Sequence, residues 1–194
     1  MSGKTVSSGK RWVYAVLVLL SVCGTAISVW NLIRTFQGTL TVMGVLQSVI
    51  QVLAHLAILG YVLYTNRMEG DTPFLGVVYA YAALLGIQVL QSGQMISGFG
   101  LSKELTMMIN IFNLVAFADV IMFANKLDRK KTSIGYMASA AILKLAGELI
   151  LIFKMLEFID FGVILISLSV PVLGLTILFA YLVYIQADQD DRGL

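Results

Sequence analysis

The chain has 194 residues, of which 59% are hydrophobic and 12% are charged, and its formal net charge at pH 7 is +2. A soluble domain carries about 25% charged residues, so this composition excludes a soluble enzyme, a disordered tail and a nucleic-acid-binding protein. The single cysteine, Cys23, and the single histidine, His55, exclude an intrachain disulfide, a thiolate metal cluster and bis-histidine haem ligation within one chain. We expect one transmembrane domain over residues 1–194, without a cofactor or a metal.

Six long apolar segments follow one another along the chain, and each is close to the ~20 residues that a helix needs to cross the hydrocarbon core. They predict an all-α, polytopic integral membrane protein, a bundle of six transmembrane helices at about 12–33, 40–65, 73–97, 105–125, 134–156 and 159–186. The apolar runs are continuous, whereas a membrane β-barrel shows short alternating segments. Because the connecting segments are too short to fold a core, any ligand site has to lie within the bundle or at its rim.

Helix 1 follows three basic residues, as the apolar core of a signal peptide does. Its apolar run continues to Ile33, which is longer than a signal peptide needs, so we expect helix 1 to be retained. Two overlapping pairs of small residues four positions apart, Ser21 with Thr25 and Gly24 with Ser28, predict close packing against another helix. That helix belongs either to the same chain or to a second copy in a homo-oligomer.

Polar side chains recur inside helices 2 to 5, where a charge near the bilayer centre costs ~2.5–3.5 kcal/mol on insertion scales. Gln47, Gln51 and His55 form one stripe on helix 2 because they are spaced four residues apart. The others lie inside helices 3, 4 and 5: Gln88, Gln91, Asn110, Asn113, Lys144 and Glu148. Groups this costly have to face protein, water or a ligand rather than lipid.

Several of these groups fall at a similar predicted depth. With a rise of ~1.5 Å per residue, Gln51, Gln88, Asn110 and Glu148 all lie ~21–23 Å from the cytoplasmic edge, and His55 and Lys144 lie near ~15 Å. We therefore predict a polar intramembrane cavity that is enclosed by helices 2 to 5, opens outward and binds a small polar solute. Its candidate ligand-binding residues are Gln51, His55, Gln88, Asn110, Lys144 and Glu148.

Two alternatives bear on this cavity. Lys144 and Glu148 can simply neutralise each other while the amides hold helices together. Asp119 is nine residues from Asn110 and therefore points to the opposite side of helix 4, so it lies either at the rim or within reach of Lys144. In helix 6, Pro171 removes a backbone hydrogen bond and predicts a kink, which either lines a site or serves packing alone.

The basic residues near the helix ends predict the orientation of the chain. With the amino terminus inside, nine Lys and Arg residues fall in the inner segments and three in the outer ones, Arg34, Lys103 and Lys154. We therefore expect a multi-pass protein of the cell membrane, of a bacterium by our interpretation, with both termini in the cytoplasm.

The sequence holds no Gly-x-Ser-x-Gly elbow, no His-Glu-x-x-His and no Walker loop, so we do not expect an enzyme, and no catalytic residue is assigned. We expect a protein that binds or translocates a small polar solute, as a transporter or a substrate-capturing membrane subunit. The alternative is a non-catalytic scaffold or accessory subunit of a membrane protein complex. The expected partners are the lipid bilayer, a small polar solute and a membrane protein or a second copy of the chain; a nucleic acid is not among them.

Overall fold

The computed structural model describes residues 8–38, 41–64, 72–95, 102–127, 130–155 and 161–191. These residues form six α-helices: α1 Ser8–Gln37, α2 Val42–Tyr64, α3 Thr72–Met95, α4 Lys103–Asn125, α5 Lys130–Met155 and α6 Phe161–Asp191. No strand occurs within the described ranges. The prediction of an all-α bundle of six helices is confirmed.

Five of the six helices are long and apolar enough to cross a membrane. The segments that meet this condition are Trp12–Gln37, Val42–Leu63, Lys103–Asn125, Thr132–Phe153 and Ser167–Ile185. The apolar part of α3 is shorter, Phe74–Leu90, although α3 as a whole has 24 residues and is therefore ~36 Å long. The chain is an integral membrane protein whose helices place it in a lipid bilayer.

The observed helices differ from the predicted spans mainly at their ends. α1 covers Ser8–Gln37 where 12–33 was predicted, and α6 continues to Asp191 beyond the predicted end at 186. Hydropathy marks the part of a helix that lies in hydrocarbon, whereas the backbone hydrogen bonds continue into the polar flanks. At α4, the hydroxyl of Ser102 accepts a hydrogen bond from the amide of Leu105 (3.3 Å), so the helix starts two residues before the apolar pattern does.

The six helices form a closed ring. Each helix packs on its neighbours in the sequence, and α6 packs back on α1. α6 also contacts α2 and α3, so it lies partly toward the centre, and Pro171 is buried within it while the helix continues on both sides. Because short connections make successive helices antiparallel, α1 begins and α6 ends at the same end of the bundle, which we call the terminal end.

Helix α2 shows how side chains divide between lipid and the interior of the ring. Leu53 and Leu63 are 61% and 63% exposed, whereas Gln51, His55 and Ile58 are fully buried. A continuous exposed apolar surface of this kind suits acyl chains rather than water. The polar stripe predicted on this helix therefore faces the interior of the bundle.

Aromatic side chains fill the interior at the terminal end. Tyr61, Phe74, Phe123 and Tyr181 are at most 8% exposed, and the ring centroids of adjacent members lie 4.9 to 6.2 Å apart. The hydroxyl of Tyr181 donates to the backbone oxygen of Leu127 at 3.0 Å, which holds the ring in place. We call these four aromatic residues the aromatic plug. It joins α2, α3, α4 and α6 at this end.

Candidate functional site

The six residues selected from the sequence fall into two groups in the structure. The first group lies between α1, α2 and α6 and contains Gln51 and His55. The other four residues lie on α3, α4 and α5, and they are Gln88, Asn110, Lys144 and Glu148. The single layer predicted from helix depths is therefore divided into two polar regions.

The first region is a chain of hydrogen bonds, which we call the α1–α2–α6 network. Nδ2 of Asn31 donates to Oε1 of Gln51 at 2.9 Å, and Nε2 of Gln51 donates to Oγ of Ser169. The hydroxyls of Thr35 and Ser48 form a further bond of 2.9 Å between α1 and α2. Gln51 is fully buried, and both ends of its amide have a protein partner. Paired polar groups of this kind hold membrane helices together.

His55 belongs to the same network. Its Nε2 lies 3.3 Å from the backbone oxygen of Ser169, which can only accept, so Nε2 is the donor in this contact. Nδ1 is buried without a hydrogen-bond partner among the described residues. The imidazole lies directly against α1, because a Cβ added at Gly24 would overlap with it.

The small residues of α1 explain how closely α1, α2 and α6 approach one another. Ser21, Gly24 and Ser28 are all buried inside the bundle. A Cβ at Gly24 would also lie 3.2 Å from Val172 on α6, so this glycine faces two helices at once. The close helix contact predicted from the spacing of these residues is thus a contact within the chain.

The second region is built around a buried ion pair. Lys144 and Glu148 are 2% and 7% exposed, and Nζ of Lys144 lies 2.5 Å from Oε1 of Glu148. The same ammonium donates to Oδ1 of Asn113 on α4 at 3.0 Å. Asp119 is half-buried, and no ion pair joins it to Lys144 within the described residues. Lys144 is therefore neutralised by its own helix and held by α4.

The packing of α4 on α5 brings the side chains of Asn110 and Glu148 to the same depth in the bundle. The hydrogen bond between Lys144 and Asn113 fixes the register of these antiparallel helices. Asn110 and Glu148 each lie one turn away from that bond, in the same direction along the bundle. On α3, Gln88 lies two turns beyond Tyr81 and on the same face, ~10 Å away along the axis.

Three side chains in this region bury polar atoms that have no hydrogen-bond partner among the described residues. These atoms are Oη of Tyr81, Oε1 of Gln88 and Oδ1 of Asn110. Tyr81 is fully buried, and its hydroxyl touches α6 where a Cβ at Gly174 would collide with it. It also lies within electrostatic reach of Glu148. Each buried polar group without a partner costs about 1–3 kcal/mol, so this region favours exchange of hydrogen bonds with water or a ligand.

We call the second region the α3–α4–α5 cluster. It consists of Tyr81, Gln88, Asn110, Asn113, Lys144 and Glu148. The sequence left the pairing of Lys144 with Glu148 open as one of two alternatives, and it gave no indication of the position of Tyr81 against α6. The side chain of Gln91, which the sequence places near Gln88, lies outside the described part of the chain.

Asn31 and Ser169 were not assigned to any site from the sequence. One serine in an apolar helix gives no signal of its own, and Ser169 gains its role only because α6 packs against α1 and α2. Asn31 gave a weak signal, since it is an amide near the end of a membrane span. Its partner Gln51 becomes apparent only from the packing of α1 on α2.

Comparison of the chain with protein-family models, with curated proteins and with solved structures gives no match. Within the described residues, no group of three or more His, Cys, Asp and Glu side chains could hold a metal ion. The chemistry available in the α3–α4–α5 cluster is that of one ion pair, three carboxamides and one phenol.

Proposed function

We propose that this integral membrane protein binds a small polar solute at the α3–α4–α5 cluster, and either carries it across the membrane or captures it for a partner subunit. The observation that supports this is a buried ion pair on α5, together with three buried polar atoms on α3 and α4 that have no hydrogen-bond partner among the described residues. The large majority of buried side-chain polar atoms in proteins have a hydrogen-bond partner. In the α1–α2–α6 network one buried side-chain atom, Nδ1 of His55, lacks a partner among the described residues, whereas the α3–α4–α5 cluster has three such atoms.

The proposed ligand residues are Tyr81, Gln88 and Asn110, and the ion pair of Lys144 and Glu148, which we call the anchor, completes the site without net charge. Asn113 orients the anchor because it accepts one proton of the Lys144 ammonium. Gln51 and His55 belong to the scaffold in this proposal, since their bonds to α1 and α6 fix the opposite side of the ring.

The aromatic plug supports access to the cluster from one side of the membrane. On α3, Phe74 precedes Tyr81 while Gln88 follows it, and on α4, Asn110 lies between three and four turns before Phe123. A solute that enters from the end opposite the plug therefore reaches Gln88 and Asn110 without passing the four aromatic rings. The excess of basic residues near the terminal end supports a cytoplasmic location for that end and for both termini. In this proposal, the solute therefore enters from the outside.

A thermal-unfolding screen of purified protein against small polar metabolites tests this function. A solute at a concentration a hundredfold above its Kd stabilises the protein by about 2.7 kcal/mol. We expect at least one solute to raise the Tm of the wild type and of Gln51→Leu, but not that of Gln88→Leu. The two substitutions make the same chemical change in the two polar regions. A screen without any stabilising solute, or one in which Gln88→Leu responds like the wild type, contradicts the proposal.

A second candidate function is a scaffold or accessory subunit without catalytic activity. Three glycines support it, because a Cβ added at Gly60, Gly76 or Gly135 would meet nothing within 4 Å. Small residues on the outside of a membrane bundle let the backbone of a partner helix approach closely. Pull-down in mild detergent separates the two functions: a stoichiometric partner protein, together with no response to solutes, favours the scaffold.

A further inference from the structure

We propose that the solute of the α3–α4–α5 cluster is uncharged and carries hydrogen-bond donors, as carboxamides, ureas and polyols do. This inference rests on the solute-binding function proposed above and specifies the class of solute. It follows from the charge balance of the cluster and from the kind of atom that lacks a partner.

The charge balance comes from the buried pair. Lys144 and Glu148 are in direct contact and together carry no net charge, whether the proton lies on the amine or on the carboxylate. The other charged side chains described on α4 do not add to the site, because Lys103 and Glu104 are exposed at the helix start and Asp119 lies on another face. A cation or an anion in this cluster would thus be a buried charge without a counter-ion, which is strongly unfavourable.

A zwitterion would be neutral overall, but it would need the charged groups of the pair. Lys144 is 2% exposed, and its ammonium is bound to both Asn113 and Glu148. A carboxylate ligand would have to break both contacts to reach it. The groups that lack partners are the uncharged ones, so a ligand that leaves the pair intact binds with less rearrangement.

The hydrogen-bonding character of the three atoms without a partner among the described residues defines which groups the ligand must carry. Two of the three are carboxamide oxygens, of Gln88 and Asn110, which accept hydrogen bonds, and the third is the hydroxyl of Tyr81, which donates and accepts. The ligand must therefore supply N–H or O–H groups. If the side-chain carboxamide of Gln88 or Asn110 flips by 180°, it presents its N–H groups to the ligand instead of its oxygen. A solute with adjacent donors and acceptors still fits. Carboxamides, ureas and polyols have this property.

Saturation-transfer NMR on the full-length protein in nanodiscs tests which class of solute binds, and it does not require transport. Two pairs of probes have nearly the same shape and differ in charge: N-methylurea with N-methylguanidinium, and acetamide with acetate. Each of these four paired probes has a methyl group whose NMR signal reports binding directly, and empty nanodiscs give the background. Glycerol represents the polyols.

We expect saturation transfer to N-methylurea, acetamide or glycerol, and transfer to the charged probes that is roughly tenfold weaker or more, because burial of an unpaired charge opposes their binding. The double variant Gln88→Leu with Asn110→Leu loses the signal. Thr35→Val, which removes a hydrogen bond of the other polar region while keeping the shape of the side chain, retains it. The Tm of each variant shows that it is folded.

Three other results overturn the inference in distinguishable ways. A stronger signal from N-methylguanidinium or acetate than from its uncharged counterpart refutes the uncharged class and leaves a solute site in place. A signal that persists in the double variant places binding outside the cluster. Absence of signal from every probe refutes the class, and the proposed function fails with it only if the metabolite screen also finds no stabilising solute.

Discussion

The α1–α2–α6 network and the α3–α4–α5 cluster both contain carboxamide side chains, yet they differ in how these side chains are paired. Gln51 accepts from Asn31 and donates to Ser169, so both ends of its amide are bound within the protein. Gln88 buries its carboxamide oxygen without a partner among the described residues. The comparison teaches that a carboxamide inside a membrane helix can either hold two helices together or contact a ligand. Whether the carboxamide has a hydrogen-bond partner within the protein distinguishes the two roles.

The difference has an energetic consequence that mutations can measure. Removing one member of a satisfied buried pair leaves the other without a partner, at a cost of about 1–3 kcal/mol. Removing a group that has no partner relieves that cost instead. Substitutions in the first region should therefore reduce stability, and substitutions of the unpaired groups in the second should affect ligand binding with little loss of stability.

The largest effect is expected for Lys144→Ala. This change leaves the buried carboxylate of Glu148 without its counter-ion, and breaking such a pair from one side costs about 3–5 kcal/mol. The double variant Lys144→Met with Glu148→Leu should recover most of the loss, because neither charge remains. Thermal unfolding in one detergent measures both. If the single variant proves as stable as the wild type, the pair is not buried in the way described.

The next effect is expected for Gly24→Ala, because the added methyl group would overlap with the imidazole of His55. Overpacking at a close helix contact costs about 1–3 kcal/mol. Gly60→Ala is the matched control, since a Cβ there meets nothing within 4 Å and alanine has the better helix propensity. Equal unfolding temperatures for the two variants would argue against the described approach of α1 to α2.

A smaller effect separates Gln51→Leu from Gln88→Leu. Gln51→Leu removes two hydrogen bonds and should lower the free energy of unfolding by about 0.6–2 kcal/mol, the range found for polar contacts between membrane helices. Gln88→Leu should keep wild-type stability or exceed it, because it removes a buried acceptor without a partner. The reverse order of stabilities would mean that the two regions have been assigned the wrong roles.

The smallest effect on stability is expected for Tyr81→Phe. The hydroxyl has no hydrogen-bond partner among the described residues, so its removal should change the unfolding temperature little or raise it. Tyr181→Phe is the matched control at the aromatic plug, where the hydroxyl donates to Leu127, and it should lose about 0.5–1.5 kcal/mol. A clear loss of stability in Tyr81→Phe would reveal a partner for that hydroxyl and remove it from the proposed site.

Much of the fold follows from the sequence, because the governing interactions are local along each helix. Continuous apolar runs longer than the hydrocarbon core is thick predict the six helices, and four-residue spacing predicts that Gln51 shares a face with His55 and that Lys144 can reach Glu148. These relations depend only on helix geometry. The helix ends were less predictable, since the apolar pattern stops before the backbone hydrogen bonds do.

Which polar groups find a partner was decided only by the tertiary structure. The spacing within α2 cannot show that Gln51 meets Asn31 of α1 and Ser169 of α6, because those contacts depend on the order of helices around the ring and on their register. The same holds for Tyr81, whose hydroxyl reaches Gly174 from across the bundle. Hydropathy and periodicity act within one helix, whereas a hydrogen bond between helices requires two distant segments to meet at one depth. Only the packed bundle fixes that.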